Sequence, residues 1–473
     1  MCGRSRCWCD SNKSGPCNQN YIFCLTTRRS HMSFAKQVKN SLLEIISGMA
    51  LHPEDFSKHP ETDFTRNRKL DFPSLLYLII SMETGTVKDE LLKFFSYDKD
   101  TASNSAFFQQ RAKLADHTLP YLFRSFNSLY SGVLYKNKYQ LLAADGTSFT
   151  FTRNPKDTDS YFAPDGKTTN GYNQVHVISL FDLLSKRYTD CLVQPIRKKN
   201  EFRALSTLID RHRLVPGTTP IFIADRGFHS LNVFAHAVEH QSYFIIRATD
   251  IKMKHLLAPD LPEGRNSFDI LVDRILTRSN SKKKRLHPEL ADQYKFICKS
   301  VAFDYIDPER QTEYPITLRV LRFQISEDNY ENIITNLPSE EFPVDEVMFL
   351  YHLRWGIETS FRELKHVIGA VNFHSKKREY IEMEVWARLL LYNFCSIITG
   401  HVVISRRGRK YQLQVNYSAA YKACHYFLRL HNGESPPEIE SLIEKNTLPI
   451  RPDRKYARQH RFRVPVSFTY RFA

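Results

Sequence analysis

Residues 351–365, Tyr-His-Leu-Arg-Trp-Gly-Ile-Glu-Thr-Ser-Phe-Arg-Glu-Leu-Lys, restrict the fold more than any other stretch of this chain. Val347, Leu350, Leu353, Ile357, Phe361 and Leu364 recur at helical spacing, so one face must be buried. Pro343 and the acids Asp345 and Glu346 mark a helix start, and the spacing predicts one amphipathic helix from about Val344 to Ile368. Gly356 costs such a helix roughly 1 kcal/mol relative to Ala, so packing must hold it there. At about 100° per residue, Tyr351, Arg354, Glu358 and Lys365 share an arc of roughly 60°. That set suits a metal-bound, phosphate-facing site. Glu358 can ligate a hard cation, and Arg354 and Lys365 can grip phosphate oxygens. A solvated, salt-bridged helix face fits the same residues, and the choice is made upstream.

The 473 residues are enough for several domains, and 42% hydrophobic with 13% aromatic residues describes a folded chain. A net charge of +16 points to a polyanionic partner, nucleic acid before an anionic membrane. The first thirty residues lack an apolar signal core. The most apolar later stretch, 387–404, contains Arg388, Asn393 and His401 and reads as a buried helix. The expectation is a soluble, cytoplasmic protein with no membrane span. Five of nine cysteines (Cys2, Cys7, Cys9, Cys17 and Cys24) crowd residues 1–32, without the paired C-x2-C spacing of a strong zinc site. The segment reads as an unstructured or spurious extension, with a zinc module as the alternative and Met32 as a candidate start. Cys191, Cys298, Cys395 and Cys424 read as reduced.

Residues 33–135 read as a helical N-terminal, DNA-binding domain. Thr86 and the Thr101–Asn104 stretch look like caps of two helices, the second exposing Gln109, Gln110, Arg111 and Lys113 in the manner of a helix-turn-helix. Residues 136–249 change character. Tyr139–Ala144 is a short apolar strand ending in Asp145, and Pro220–Ala224 is another ending in Asp225. Val175–Leu183 and Tyr188–Val193 form a hairpin, Asn200–Ile209 a helix and Tyr243–Ile246 a strand. Together they make a mixed α/β sheet with acids at its edge. Asp145, Asp225 and Glu358 are enough carboxylates to hold two Mg²⁺ or Mn²⁺ ions about 4 Å apart for attack on phosphorus.

The spacing Tyr351-x2-Arg354-x3-Glu358-x6-Lys365 resembles the signature of bacterial insertion-sequence transposases with a DDE triad. Leu141–Thr147 is similar to that family's first-Asp motif and Ile223–Phe228 to its second, and Ile334–Leu337 is also similar. The resemblance covers roughly 35–470. It implies a ribonuclease-H-like core, a β-rich insertion between the second Asp and the Glu, and a homodimer bridging two duplex DNA ends in a synaptic complex. Better-known relatives place an insertion-domain Trp where a base flips. Here Trp8, Trp355 and Trp386 all lie outside the insertion, leaving Tyr294, Phe296, Phe323 or Tyr330 as substitutes.

The remaining segments read as a β-rich insertion at 250–342 with strands at Tyr294–Val301 and Ile316–Ile325, a second part of the core at 343–405, and a helical, basic region at 406–473. Within the insertion, Lys282, Lys283, Lys284 and Arg285 form a cationic loop expected to touch DNA backbone, as is Arg226 beside the second Asp. Glu382 and Glu384 are expected to pair with Lys or Arg. The final 23 residues carry Arg451, Arg454, Lys455, Arg458, Arg461, Arg463 and Arg471 interleaved with aromatics, a further candidate contact. The expected activity is metal-dependent cleavage and strand transfer at terminal inverted repeats. A same-fold nuclease without strand transfer and an inactive DNA-binding relic are the alternatives.

Overall fold

The computed structural model describes residues 33–164, 171–258, 262, 266–279, 284–307, 313–327, 329–404, 412–430 and 437–450. The chain divides into Met1–Ser33 and Phe34–Ala473. The cysteine cluster, Lys282, Lys283 and the basic residues beyond 450 lie outside the described residues.

Five helices come first: α1 (Phe34–Met49), α2 (Phe72–Ser81), α3 (Val87–Phe94), α4 (Asn104–Ala112) and α5 (Thr118–Ser128). Asp71 caps α2 through the Ser74 N–H, and Thr86 and Asp89 cap α3 reciprocally. The exposed polar stripe expected on α4 is corrected here. Gln109 faces solvent, but Gln110 and Arg111 are buried, because Arg111 reaches inward to Glu384.

The sheet strands are β1 (Tyr139–Phe151), β2 (Tyr161–Phe162), β3 (Tyr172–Asp182), β4 (Arg187–Pro195), β5 (Thr219–Ala224), β6 (Tyr243–Ala248), β7 (Phe268–Thr277), β8 (Tyr294–Phe296), β9 (Glu313–Ser326) and β10 (Asn329–Thr335). Three helices punctuate them: α6 (Glu201–Arg211), α7 (Leu231–Glu239) and α8 (Asp250–Leu257). They form one sheet in the order β2-β3-β1-β5-β6-β10-β9-β7-β8, with β4 on β3. Antiparallel β4-β3-β1 followed by parallel β5 and β6 is the ribonuclease-H-like mixed sheet that was expected. The strands of 250–342 extend that same sheet through the β6–β10 ladder. Asn336 stitches this seam, accepting from the Phe244 N–H (2.9 Å) and donating to Ser242 O (2.9 Å).

Burial on both faces explains the apolar strand cores. Leu141, Ala143, Ile221 and Ile223 face one hydrophobic cluster, and Leu142, Ala144, Phe222 and Ala224 face the other. α6, α7 and α8 cover the second face. The first is covered by α9 (Val344–Leu353), α10 (Trp355–His366) and α11 (Arg378–His401), with α1–α5 packed outside them. α11 is buried almost throughout, its Arg388 satisfied by the Met82 and Glu83 carbonyls and its Asn393 by Tyr188. α12 (Tyr417–Arg429), α13 (Ile439–Lys445) and the hairpin of β11 (Leu413–Val415) and β12 (Thr447–Pro449) complete the described chain. No helix among the described residues is long and apolar enough to cross a membrane.

Two expectations about the site elements are corrected. β1 does not end at Asp145. It continues to Phe151 because β3 pairs with it over Leu142–Phe151, while its parallel partner β5 stops at Ala224. The helix expected over 344–368 is broken at Arg354. There the N–H of Arg354 bonds Tyr351 O and that of Ile357 bonds Arg354 O, both three residues apart, which tightens the turn.

Candidate active site

Asp145 and Asp225 follow directly on the paired residues Ala144 and Ala224 of neighbouring parallel strands. Alternation along each strand puts both on the face covered by α10. Asp225 caps the turn Arg226–Phe228, accepting from the Gly227 N–H at 2.8 Å. Asp145 accepts from the Gly146 N–H at 2.7 Å. Gly146 suits this spot, because a Cβ would lie 2.6 Å from His176 Nε2 on β3 and that side chain would have to shift.

Glu358 comes to these acids from the first turn of α10. Arg354, only 6% exposed, bridges the groups. Its Nη2 is 3.0 Å from Glu358 Oε1 and its Nη1 is 4.0 Å from Asp145 Oδ2. Burial is the main cause that lifts Asp145 to about 6. Arg354 opposes the rise, while the negative charges of Asp225 and Glu358 add to it. Among the described residues no three acidic, histidine or cysteine side chains stand within joint metal-binding reach, so the carboxylates are electrostatic neighbours rather than a closed cage. Their chemistry nevertheless fits a hard cation: three carboxylates supply oxygen donors, and the charges of Asp225 and Glu358 both reach Asp145. The Arg354 Nε–H is buried with no acceptor among the described residues, a donor left over for an incoming anion.

Tyr351 is buried, its ring 5.7 Å from the Arg354 guanidinium carbon. Lys365 is half-buried over the Phe149 ring at 5.3 Å, on the same face of β1 as Asp145, and burial lowers its ammonium pKa. Arg226 is exposed beside Asp225. Lys284 and Arg285 begin a short helical turn, and no described contact ties them to the carboxylates. Arg278 is spent on structure, donating to the carbonyls of Ile297, Cys298 and Val301. Tyr294 and Phe323 are buried and cannot meet a flipped base, whereas Phe296 is half-exposed and Tyr330 lies under Arg322. Arg247 was missed. It lies on β6 one position beyond the residue level with Ala224, pairs with Glu331 at 3.0 Å, and lies near enough to bias the Tyr351 phenol. Its signal was available: an apolar run that leads into a charge, as the runs before Asp145 and Asp225 do.

The family described as Transposase DDE domain matches residues 136–394, more than half of the chain. The chain belongs to the DDE transposase family. A transposase for the insertion sequence element IS4 of Escherichia coli (InsG) is 22% identical over 394 residues, covering 80% of each chain. One for the element IS231F of Bacillus thuringiensis subsp. israelensis is 28% identical over 117 residues, 24% of each. A solved piggyBac transposase synaptic complex with hairpin DNA aligns over 84% of this chain and 80% of that one, at TM-score 0.45 and 11% identity. The protein is thus a DNA transposase and a DDE-type enzyme, and its family implies DNA binding and dependence on a divalent metal.

Proposed function

We propose that Asp145, Asp225 and Glu358 are the transposase's catalytic carboxylates and hold two Mg²⁺ or Mn²⁺ ions per site. The observation that carries this reading is that Asp145, raised to about 6 chiefly by burial, also feels the charges of Asp225 and Glu358, with Arg354 joining it to Glu358. The bound ions would supply a Lewis acid for phosphodiester attack and leaving-group stabilisation. The protein's own groups do the positioning. Arg354 exchanges its carboxylate contacts for a phosphate, using the free Nε–H. Tyr351 aligns that guanidinium and shares the phosphate, and Lys365 holds a neighbouring one. Arg226, Lys284 and Arg285 contact duplex backbone, with Lys282 and Lys283 continuing the basic run. The substrate is the terminal inverted repeats of the element, held by a homodimer in the bacterial cytoplasm at the nucleoid.

The test is cleavage of linear DNA carrying the repeats, with Mg²⁺, by wild type and Glu358→Ala. Metal-dependent nicking that vanishes in the variant while DNA binding persists supports the reading, and equal nicking by both sinks it. A marked donor end that never appears in joined product would reassign the enzyme as a nuclease without strand transfer.

A further inference from the structure

α10 has no side-chain cap and begins at the break beside Arg354, so no capping bond sets its rotation. Its rear stripe does. Gly356, Ser360 and Glu363 lie within about 60° of one another on the helix, and Glu358 points about 200° from Gly356. Each stripe residue meets the body of the protein. A Cβ on Gly356 would lie 3.0 Å from Leu183 Cδ2, at the turn after β3. Ser360 Oγ lies 2.8 Å from the Tyr188 hydroxyl on β4. Glu363 Oε2 accepts from the Tyr392 hydroxyl on α11 at 2.9 Å.

The Tyr188–Ser360 bond is the directional one inside the core. Ser360 spends its only proton on Ile357 O at 2.7 Å, so Tyr188 must donate to it. Tyr188 is fully buried among Phe181, Tyr392 and Phe361, and burial pushes its phenol well above the ordinary value, keeping the donor protonated. Its backbone is pinned on both sides by Asn393. The Tyr188 N–H donates to Asn393 Oδ1 at 2.9 Å, and Asn393 Nδ2 donates to Tyr188 O at 2.7 Å and to Asn127 Oδ1 at 2.8 Å. The anchor for the helix is therefore tied to α11 and α5.

We infer that Tyr188 and Ser360 are positioning residues that set the rotation of α10 and so aim Glu358 at the site of Asp145 and Asp225. The inference rests on the proposed role of Glu358. A 20° rotation would swing a carboxylate about 6 Å from the helix axis through about 2 Å, beyond what metal ligation tolerates. A displacement of about 1 Å in a reacting group costs on the order of 100-fold.

The experiment compares wild type, Tyr188→Phe, Ser360→Ala, the double variant and Glu358→Ala. Repeat-end nicking rate, its half-saturating Mn²⁺, Mn²⁺ binding to the DNA-free protein by electron paramagnetic resonance, repeat-DNA affinity and thermal midpoint are measured for each. Tyr188→Phe should stay folded and hold DNA within about twofold. It should nick at least about tenfold more slowly and bind Mn²⁺ at least about fivefold more weakly. The double variant should be no worse than either single one. Wild-type nicking and Mn²⁺ binding in a folded Tyr188→Phe overturn the inference. If that variant unfolds, Ser360→Ala, which removes one oxygen from the helix side, is judged by the same criteria. Loss of nicking in Glu358→Ala alongside normal behaviour in Tyr188→Phe defeats this inference alone, whereas full nicking by Glu358→Ala defeats the carboxylate assignment and this inference together.

Discussion

Glu384→Gln should be among the most damaging single-atom changes in the protein. Glu384 is 2% exposed on α11, and its partner Arg111 on α4 is 1% exposed. Oε1 accepts from Arg111 Nη1 at 3.0 Å and from the His374 N–H at 3.0 Å, and Oε2 lies 2.9 Å from that same N–H and 3.0 Å from His374 Nδ1. His374 Nε2 continues to Gly85 O at 3.1 Å, so one carboxylate joins α4, the turn before α3 and the loop leading into α11. Burial, the largest influence, pushes this carboxyl up. His374, Arg111 and Arg388 together outweigh it and hold the group below the ordinary range. Glutamine keeps one acceptor but leaves Arg111 as a buried cation. Removing one partner of a buried pair costs about 3–5 kcal/mol. The Arg111 guanidinium keeps the Tyr380 ring at 4.4 Å, so the low end, about 3 kcal/mol, is expected. Urea unfolding followed by the fluorescence of Trp386, two residues away, reads the loss as a lower midpoint. The wild-type advantage should be complete above the ordinary glutamate range and fade as pH falls through the lowered native value. Replacing both partners, Arg111→Met with Glu384→Leu, should recover most of the stability. A single-variant loss below about 1 kcal/mol, or a double variant as weak as the single, would refute the reasoning.

Three further outcomes follow from the site. Asp145 binds its proton more tightly folded (about 6) than unfolded (3.8), so metal-free protein should lose up to about 3 kcal/mol as pH rises from about 4 to 6. The stability difference from Asp145→Asn, measured across that window without divalent ions, should carry this slope, and a flat difference would contradict it. Gly146→Ala forces a methyl toward His176 Nε2 (2.6 Å) and Ile178 Cδ1 (2.8 Å), and should cost about 1–3 kcal/mol in thermal unfolding and slow nicking. An unchanged midpoint would show the strand has room. Lys365→Met removes a desolvated cation lying over Phe149, so stability should hold or rise while repeat-end nicking falls at least about tenfold. Wild-type nicking would remove Lys365 from phosphate binding.

Local chemistry made much of this protein legible from its residues in order. The short apolar runs before Asp145 and Asp225 fit doubly buried strands, and the spacing of Val347 to Leu364 fits helix. What the sequence by itself determined was therefore the element types, the candidate carboxylates and, by resemblance, the family. Tertiary structure decided what depends on neighbours distant in the chain. Strand pairing, not composition, carried β1 past Asp145, since β3 supplies ladder partners that β5 does not. A tight turn at Arg354, beside the packing of Gly356 on Leu183, split a helix that periodicity joined. Arg111 looked like a surface residue because its partner Glu384 lies 273 positions away. Arg319 is buried through Asp269 and the Phe342 carbonyl for the same reason. A charge reads as exposed until its counter-charge is located, and only the folded chain brings the two within reach.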